Sequence, residues 1–152
     1  MFGEQKYICV SRPRRFGKSM AANMLTAYYS RGCDSKELFQ ELKIATHPDF
    51  EKHLNQYNVI HLNMRDYLTE SENMKQLIQF VEDDLLDELQ QEFSDLRMPR
   101  RKTLVKVLEQ AFAQYKILFV FIIDEWDCIF RVHKSDAVSQ KDYLDFLRNL
   151  LK

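Results

Sequence analysis

Glycine, proline and cysteine are scarce in this sequence. Its 152 residues include three of each. Such low numbers of glycine and proline argue against disordered segments, internal repeats and a loop-rich all-β domain. We therefore expect helix to be the main secondary structure. Cys9, Cys33 and Cys128 are widely spaced and form no Cys-x-x-Cys pair. They indicate reduced, buried thiols in a cytosolic protein rather than disulfides or a metal site.

Long hydrophobic runs and a strong excess of one charge are also lacking. The longest apolar run, residues 117–123, is too short to cross a bilayer, and the N-terminus lacks a signal-peptide pattern. A net charge of -1 gives no bulk basic field for nucleic acid or an anionic membrane. With 45% hydrophobic and 30% charged residues, we expect one soluble, cytoplasmic domain over residues 1–152, without membrane association.

The apolar pattern predicts strands separated by helices. Residues 7–10 and 58–64 are short, partly β-branched runs typical of strands, while residues 117–123 show no alternation, as in a central parallel strand covered on both faces. A first helix is predicted over residues 20–29. A long helix follows Thr69 and Glu72, which have capping-box spacing, and its apolar stripe should be core. This order predicts an open α/β sheet flanked by helices.

A basic stretch, residues 11–19, lies between the first predicted strand and the first predicted helix. It ends in Gly17-Lys18-Ser19. Backbone N–H groups and the dipole at a helix start bind phosphate readily, the Lys18 ammonium can reach terminal phosphates, and the Ser19 hydroxyl suits Mg²⁺. The Walker A pattern requires a first glycine where this chain has Arg12, so the strict motif fails by one residue.

A second signal follows the last predicted strand. Asp124 and Glu125 come directly after the apolar run, and ligands of open α/β sheets bind beyond the carboxyl ends of the strands. Asp124 can act as a Mg²⁺ partner that complements Ser19, and Glu125 can accept a hydrogen bond from a water directed at the γ-phosphate. Gly17-Lys18-Ser19 alone is more often a polar helix start, and an Asp-Glu pair alone is more often a solvated strand end. The occurrence of both, each after an apolar run, favours a P-loop nucleotide site.

Two segments resemble the bacterial AAA-ATPase-like family: residues 7–19, ending in Arg-Pro-Arg-Arg-Phe-Gly-Lys-Ser, and residues 122–127, Ile-Ile-Asp-Glu-Trp-Asp. In that family the arginine-rich loop stands in for the glycine-rich one. The resemblance implies an α/β P-loop NTPase fold of the AAA/RecA-like type, with ATP and Mg²⁺. It implies catalytic roles for Lys18 and Glu125 and metal contacts from Ser19 and Asp124. The nucleotide-binding residues it implies are Arg12, Pro13, Arg14, Arg15, Phe16, Gly17, Lys18, Ser19 and Met20.

The same resemblance predicts missing parts. The resemblance implies a protein of two parts, in which a restriction-endonuclease-like nuclease domain follows the ATPase. No segment of this sequence matches that nuclease domain. The related topology also needs a strand after Walker B, between the Walker A and Walker B strands, and only a polar turn and one helix follow Phe130. We therefore expect an incomplete sheet in a chain truncated at both ends, unstable alone and weak as an ATPase.

Three functions remain open at this level. The first is Mg²⁺-dependent ATP binding and hydrolysis that drives a conformational change in an attached or partner domain. The second is a nucleotide-binding signalling switch with little turnover. The third is a nucleic-acid-binding module that uses Arg12, Arg14, Arg15 and the basic turn at residues 100–102. The loop arginines have three alternative targets: phosphates, a neighbouring subunit of a homo-oligomer or another protein, and nucleic acid. ATP rather than GTP rests on the resemblance.

Overall fold

The computed structural model describes residues 7–10 and 17–151. Within those residues the chain forms helices, two strands and one 3₁₀ turn at Lys43–Thr46. The elements in chain order are α1 Lys18–Tyr29, α2 Lys36–Phe39, α3 Phe50–His53, β1 Asn58–Asn63, α4 Met64–Glu70, α5 Met74–Glu92, α6 Leu104–Tyr115, β2 Phe119–Asp124, α7 Cys128–Val132 and α8 Ala137–Leu150.

The two strands form a small parallel sheet. Their register runs from Asn58 opposite Phe119 to Asn63 opposite Asp124. A parallel pair needs a crossover connection, and here α4, α5 and α6 supply it. The sequence predictions of strands at residues 58–64 and 117–123 are therefore confirmed, as is a mixed α/β arrangement with helices flanking a parallel sheet.

The predicted strand at residues 7–10 is wrong. These residues have no regular secondary structure, and the Tyr7, Ile8 and Val10 side chains are exposed. In the described part of the chain the sheet consists of β1 and β2 alone. Because an extended segment needs a neighbouring strand to pair its backbone groups, residues 7–10 cannot form a strand there despite their favourable composition.

The strand β2 is less covered than its apolar sequence predicts. All six of its residues are half-buried rather than fully buried. Phe119, Phe121 and Ile123 pack against the main core. Since successive side chains of a strand alternate between its faces, Val120, Ile122 and Asp124 point to the other face. β1 is the one strand paired with β2 among the described residues, so the far edge of β2 remains open.

The main core lies on one face of the sheet, between β1, β2 and the helices α4 to α8. The predicted apolar stripe of α5 is confirmed, because Leu77 and Val81 are fully enclosed and their stripe neighbours are nearly so. The predicted capping box at Thr69 and Glu72 is wrong. Thr69 lies inside α4, and the Asn73 side chain caps α5 instead.

A second, smaller core holds the C-terminal half of α1. Tyr28 packs with three side chains of α2, α3 and the following turn, Phe39, Phe50 and Leu54. The Tyr28 hydroxyl also donates a hydrogen bond of 2.7 Å to the Phe50 carbonyl. An isolated parallel bridge between Ser30 and Tyr57 leads from α1 towards β1. The far end of α1 is thereby anchored, and its N-terminal end projects from this cluster.

All three cysteines are free thiols. The prediction of buried thiols is confirmed for Cys128 but is wrong for Cys9 and Cys33, which are exposed. Cys9 belongs to the exposed segment 7–10, and Cys33 lies in the turn after α1. Burial raises the pKa of the Cys128 thiol, which therefore stays protonated at neutral pH.

Candidate functional site

The start of α1 contains the sequence-predicted residues that the structure describes. Gly17 precedes the helix with φ of 72° and ψ of 22°. This left-handed conformation is accessible to glycine at little cost, whereas another residue would pay about 1 kcal/mol or more. Lys18 is the first helical residue, and Ser19 and Met20 follow it. The residues Arg12, Pro13, Arg14, Arg15 and Phe16 lie outside the described residues.

The N-terminus of α1 resembles that of α6, which in the described part of the chain also lacks a side-chain cap, and differs from those of α5 and α8. Within the described residues, no side chain caps α1 and its first turn contains no acid. By contrast, Asn73 caps α5 and Asp136 caps α8 through side-chain oxygens. The first N–H groups of any helix lack partners within the helix and carry a partial positive charge. An anion at α1 could accept hydrogen bonds from such N–H groups, which is the local chemistry of a phosphate site.

The carboxyl end of β2 carries Asp124, the predicted metal ligand. Asp124 is the last residue of β2 and points to the face opposite the main core. Among the described residues, α1 contacts both strands but adds no residue to that core, so α1 covers the face to which Asp124 points. The helix that begins at Lys18 therefore contacts the strand that ends at Asp124.

Ser19 and Asp124, the two predicted metal ligands, both carry oxygen donors. The Ser19 hydroxyl is exposed, and the Asp124 carboxylate is half-buried. One oxygen of Asp124 accepts a 2.8 Å hydrogen bond from the Glu125 N–H, which leaves its other oxygen available. Mg²⁺ prefers such hard oxygen ligands and usually completes its shell with water and substrate phosphates. Over residues 7–10 and 17–151, no cluster of three or more His, Cys, Asp or Glu side chains could hold a metal without such help.

Glu125 adopts an unusual backbone conformation. Its φ is 52°, in the left-handed region that non-glycine residues rarely occupy. Its carbonyl accepts a 2.9 Å hydrogen bond from the Cys128 N–H, which closes a tight turn between β2 and α7. Holding a residue in such a region costs about 1–3 kcal/mol, and this kind of strain often accompanies a functional position.

The Glu125 side chain forms an ion pair that the sequence analysis missed. Its carboxylate accepts a hydrogen bond from one nitrogen of Arg131, and the other terminal nitrogen of Arg131 donates to Asp127 at 2.8 Å. The hydrogen bond with Glu125 raises the pKa of Arg131 above its already high value. Asp127 and Arg131 are four residues apart, the spacing at which ion pairs form on a helix. This spacing was the sequence signal that could have identified Arg131.

The aromatic residue beside this pair packs against its neighbours. The Trp126 ring lies edge-to-face against Phe130, with ring centroids 6.0 Å apart. The Trp126 carbonyl accepts a hydrogen bond of 3.0 Å from the hydroxyl of Tyr143, which is completely buried. This arrangement ties the turn after β2 to α8 and fixes the backbone on which Glu125 and Asp127 stand.

A cavity of about 510 Å³ lies beside Arg131. It is bounded by α4, the start of α5 and α7, and its lining includes Arg65, Cys128, Arg131 and His133. Gly17, Lys18 and Ser19 do not line it. The cavity therefore borders the turn after β2 from the side of α7 and is separate from the start of α1.

The remaining predicted sites lie on the surface. Arg100, Arg101 and Lys102 are exposed in the loop before α6, as expected for a solvated basic turn. Met20 is also exposed. Among residues 7–10 and 17–151, no helix combines the length and apolar character needed to cross a membrane.

Comparison with known proteins gives one match. A family model described as AAA-ATPase-like, predicted AAA-ATPase, matches residues 1–152. Searches of curated proteins and of solved structures give no significant match. The matched description is that of a nucleotide-binding class and agrees with the phosphate-binding chemistry of the α1 N-terminus.

Proposed function

The chain belongs to the AAA-ATPase-like family, and from that premise we propose that it binds ATP with Mg²⁺ between α1 and β2 and hydrolyses it. In this proposal the domain has a P-loop NTPase fold, with Gly17-Lys18-Ser19 as the end of a variant Walker A loop and Asp124-Glu125 as Walker B. The observation that carries the proposal is the uncapped N-terminus of α1, a helix that contacts the strand ending at Asp124.

Each residue has a separate role in this proposal. The backbone N–H groups at the start of α1 bind phosphate oxygens, and the Lys18 ammonium neutralises charge on the terminal phosphates. Ser19 and Asp124 hold Mg²⁺, which when bound offsets the negative charge that develops during phosphoryl transfer. Glu125 accepts a hydrogen bond from the attacking water and orients it. Arg12, Pro13, Arg14, Arg15, Phe16 and Met20 complete the loop around the nucleotide.

The test separates binding from turnover. Lys18→Ala should weaken Mg-ATP binding by roughly tenfold to a hundredfold, because a hydrogen bond to a charged group contributes about 1.5–3 kcal/mol. Glu125→Gln should bind ATP as the parent does but lower turnover by roughly 10²- to 10⁴-fold. Titration calorimetry gives the affinity, and phosphate release gives the turnover.

A matched control distinguishes the site from general charge effects. Lys106 is an exposed lysine on α6 that pairs with Glu109, so Lys106→Ala removes the same charge away from α1. It should leave affinity and turnover unchanged. Equal ATP affinity in the parent and in Lys18→Ala would overturn the site. Removal of Mg²⁺ by a chelator should abolish turnover in the parent.

A signalling switch with little turnover is the second candidate function. The observation that favours it is the ion pair between Glu125 and Arg131, because a glutamate engaged by an arginine is less available to a water molecule. This candidate predicts tight ATP binding with negligible phosphate release. The two candidates share the binding site and differ only in what Glu125 does after ATP has bound.

A further inference from the structure

The turn after β2 directs two neighbouring carboxylates in different directions. Asp124 points to the sheet face that α1 covers. Glu125 pairs instead with Arg131 on α7, and α7 packs against α4 and α8, whose residues belong to the main core. Neighbouring side chains of a strand already point to opposite faces, and the left-handed φ of 52° at Glu125 then begins the turn that leads to α7.

From this geometry we propose that Arg131 is a positioning residue that holds Glu125 turned away from the nucleotide, so that turnover requires the Arg131–Glu125 pair to open. This inference rests on the proposed function, because it assigns a resting state to the same site. It adds a residue outside the Gly17-Lys18-Ser19 and Asp124-Glu125 motifs and explains how ATP can be bound without being hydrolysed.

Two features fit Arg131 for this role. Its guanidinium group contacts both Glu125 and Asp127, so the contact with Asp127 helps to hold Arg131 beside Glu125. The planar fork of arginine suits two simultaneous carboxylate contacts, which a lysine ammonium matches less well. The Arg131 and Glu125 side chains are 28% and 22% exposed, so water screens the pair only in part and the pair can open without unfolding the core.

The cavity beside α7 gives the pair space to rearrange. Arg131 lines this cavity of about 510 Å³ together with Val132 and His133. Densely packed interiors resist side-chain movement, whereas an arginine next to open space can change rotamer. The cavity therefore allows the Arg131 guanidinium to withdraw from Glu125 while the turn between β2 and α7 keeps its backbone hydrogen bond.

The experiment replaces the arginine and follows binding and turnover separately. Arg131→Gln should raise kcat for Mg-ATP hydrolysis by roughly fivefold, the scale expected for losing a partly exposed ion pair, with the ATP affinity unchanged. Arg131→Lys keeps the charge but loses the planar fork, so its kcat should lie between those of the parent and Arg131→Gln. Asp127→Asn removes one carboxylate contact of Arg131 and should raise kcat by a smaller factor. This variant provides the test if Arg131→Gln fails to fold.

The control is Arg148→Gln. Arg148 forms an exposed ion pair with Asp145 on α8, so its loss should change neither kcat nor affinity. If ATP binds in a Lys18-dependent manner and kcat stays equal or falls in both Arg131→Gln and Asp127→Asn, the positioning role is wrong while the proposed function stands. Undetectable turnover in the parent and in both variants would also contradict the positioning role of Arg131. If ATP does not bind, the proposed function fails, and this inference fails with it.

Discussion

The helices α5 and α1 show how differently two parts of one small domain are built. The helix α5 begins with a side-chain cap and buries a continuous apolar stripe. The helix α1 begins without a cap in the described residues, and Met20, Met24 and Leu25 are exposed along it. The stability of the fold is therefore concentrated around α5, whereas the proposed ligand-binding groups lie at the start of α1.

This contrast has a physical basis. A capped helix satisfies its first N–H groups internally and gains stability, whereas an uncapped one keeps those groups for an external acceptor. A site that binds phosphate cannot use the same groups for its own cap. In the proposed function the two demands fall on different helices, so each should be alterable with little effect on the other.

The largest effect should come from the core. Leu77 is fully buried in α5, so Leu77→Ala should lower the free energy of unfolding by about 3 kcal/mol through lost burial and the cavity left behind. The matched change on α1, Leu25→Ala, removes a side chain that is 45% exposed and should cost much less. Urea unfolding measures both. Equal losses would show that α1 is packed as firmly as α5, and the contrast would not hold.

The cap of α5 should give a smaller effect. The Asn73 side chain accepts a 3.0 Å hydrogen bond from the Gln76 N–H, so Asn73→Ala should destabilise the protein by about 1 kcal/mol. Ser19 in the first turn of α1 provides no such bond within the described residues. Ser19→Ala should therefore leave stability without nucleotide nearly unchanged while weakening Mg²⁺-dependent ATP binding. A stability loss in Ser19→Ala as large as in Asn73→Ala would contradict this assignment.

The smallest effect concerns alkaline pH. Burial, with the charge and hydrogen bond of Asp84 adding to it, raises the pKa of Tyr67 to about 12. The folded pKa lies above the ordinary value of 10, so the stability from this group is present below pH 10 and is lost as pH rises towards 12. The urea midpoint should fall over that range, and less so in Tyr67→Phe. An identical fall in both proteins would show that Tyr67 does not contribute.

The sequence was sufficient for elements whose signals are local and strong. The stripe of α5 and the apolar run of β2 identify a helix and a parallel strand, and Asp124 does end that strand. The loop motif predicts a helix start at its end, and α1 does begin directly after Gly17. These features depend on nearby residues, so they can be read without knowledge of the tertiary structure.

Other features depend on partners distant in sequence or on competition between neighbours. Residues 7–10 have a strand-like composition but lack a paired strand in the described chain. Two cap signals compete before α5, at Thr69 and Asn73, and the unpredicted helix α4 absorbs the first. The Arg131–Glu125 pair lies at a left-handed turn at Glu125, and no sequence pattern predicts that turn. Such features follow from packing and backbone geometry rather than from periodicity.

The most direct test of the central claim is amide hydrogen exchange at the two helix starts, with and without Mg-ATP. If phosphate accepts hydrogen bonds from the start of α1, exchange at Ser19 and Met20 should slow by roughly tenfold or more at saturating ATP. Exchange at Gln76, whose N–H already donates to Asn73, should not change locally. Unchanged exchange at Ser19 and Met20 under conditions where ATP binds would contradict a phosphate site at α1.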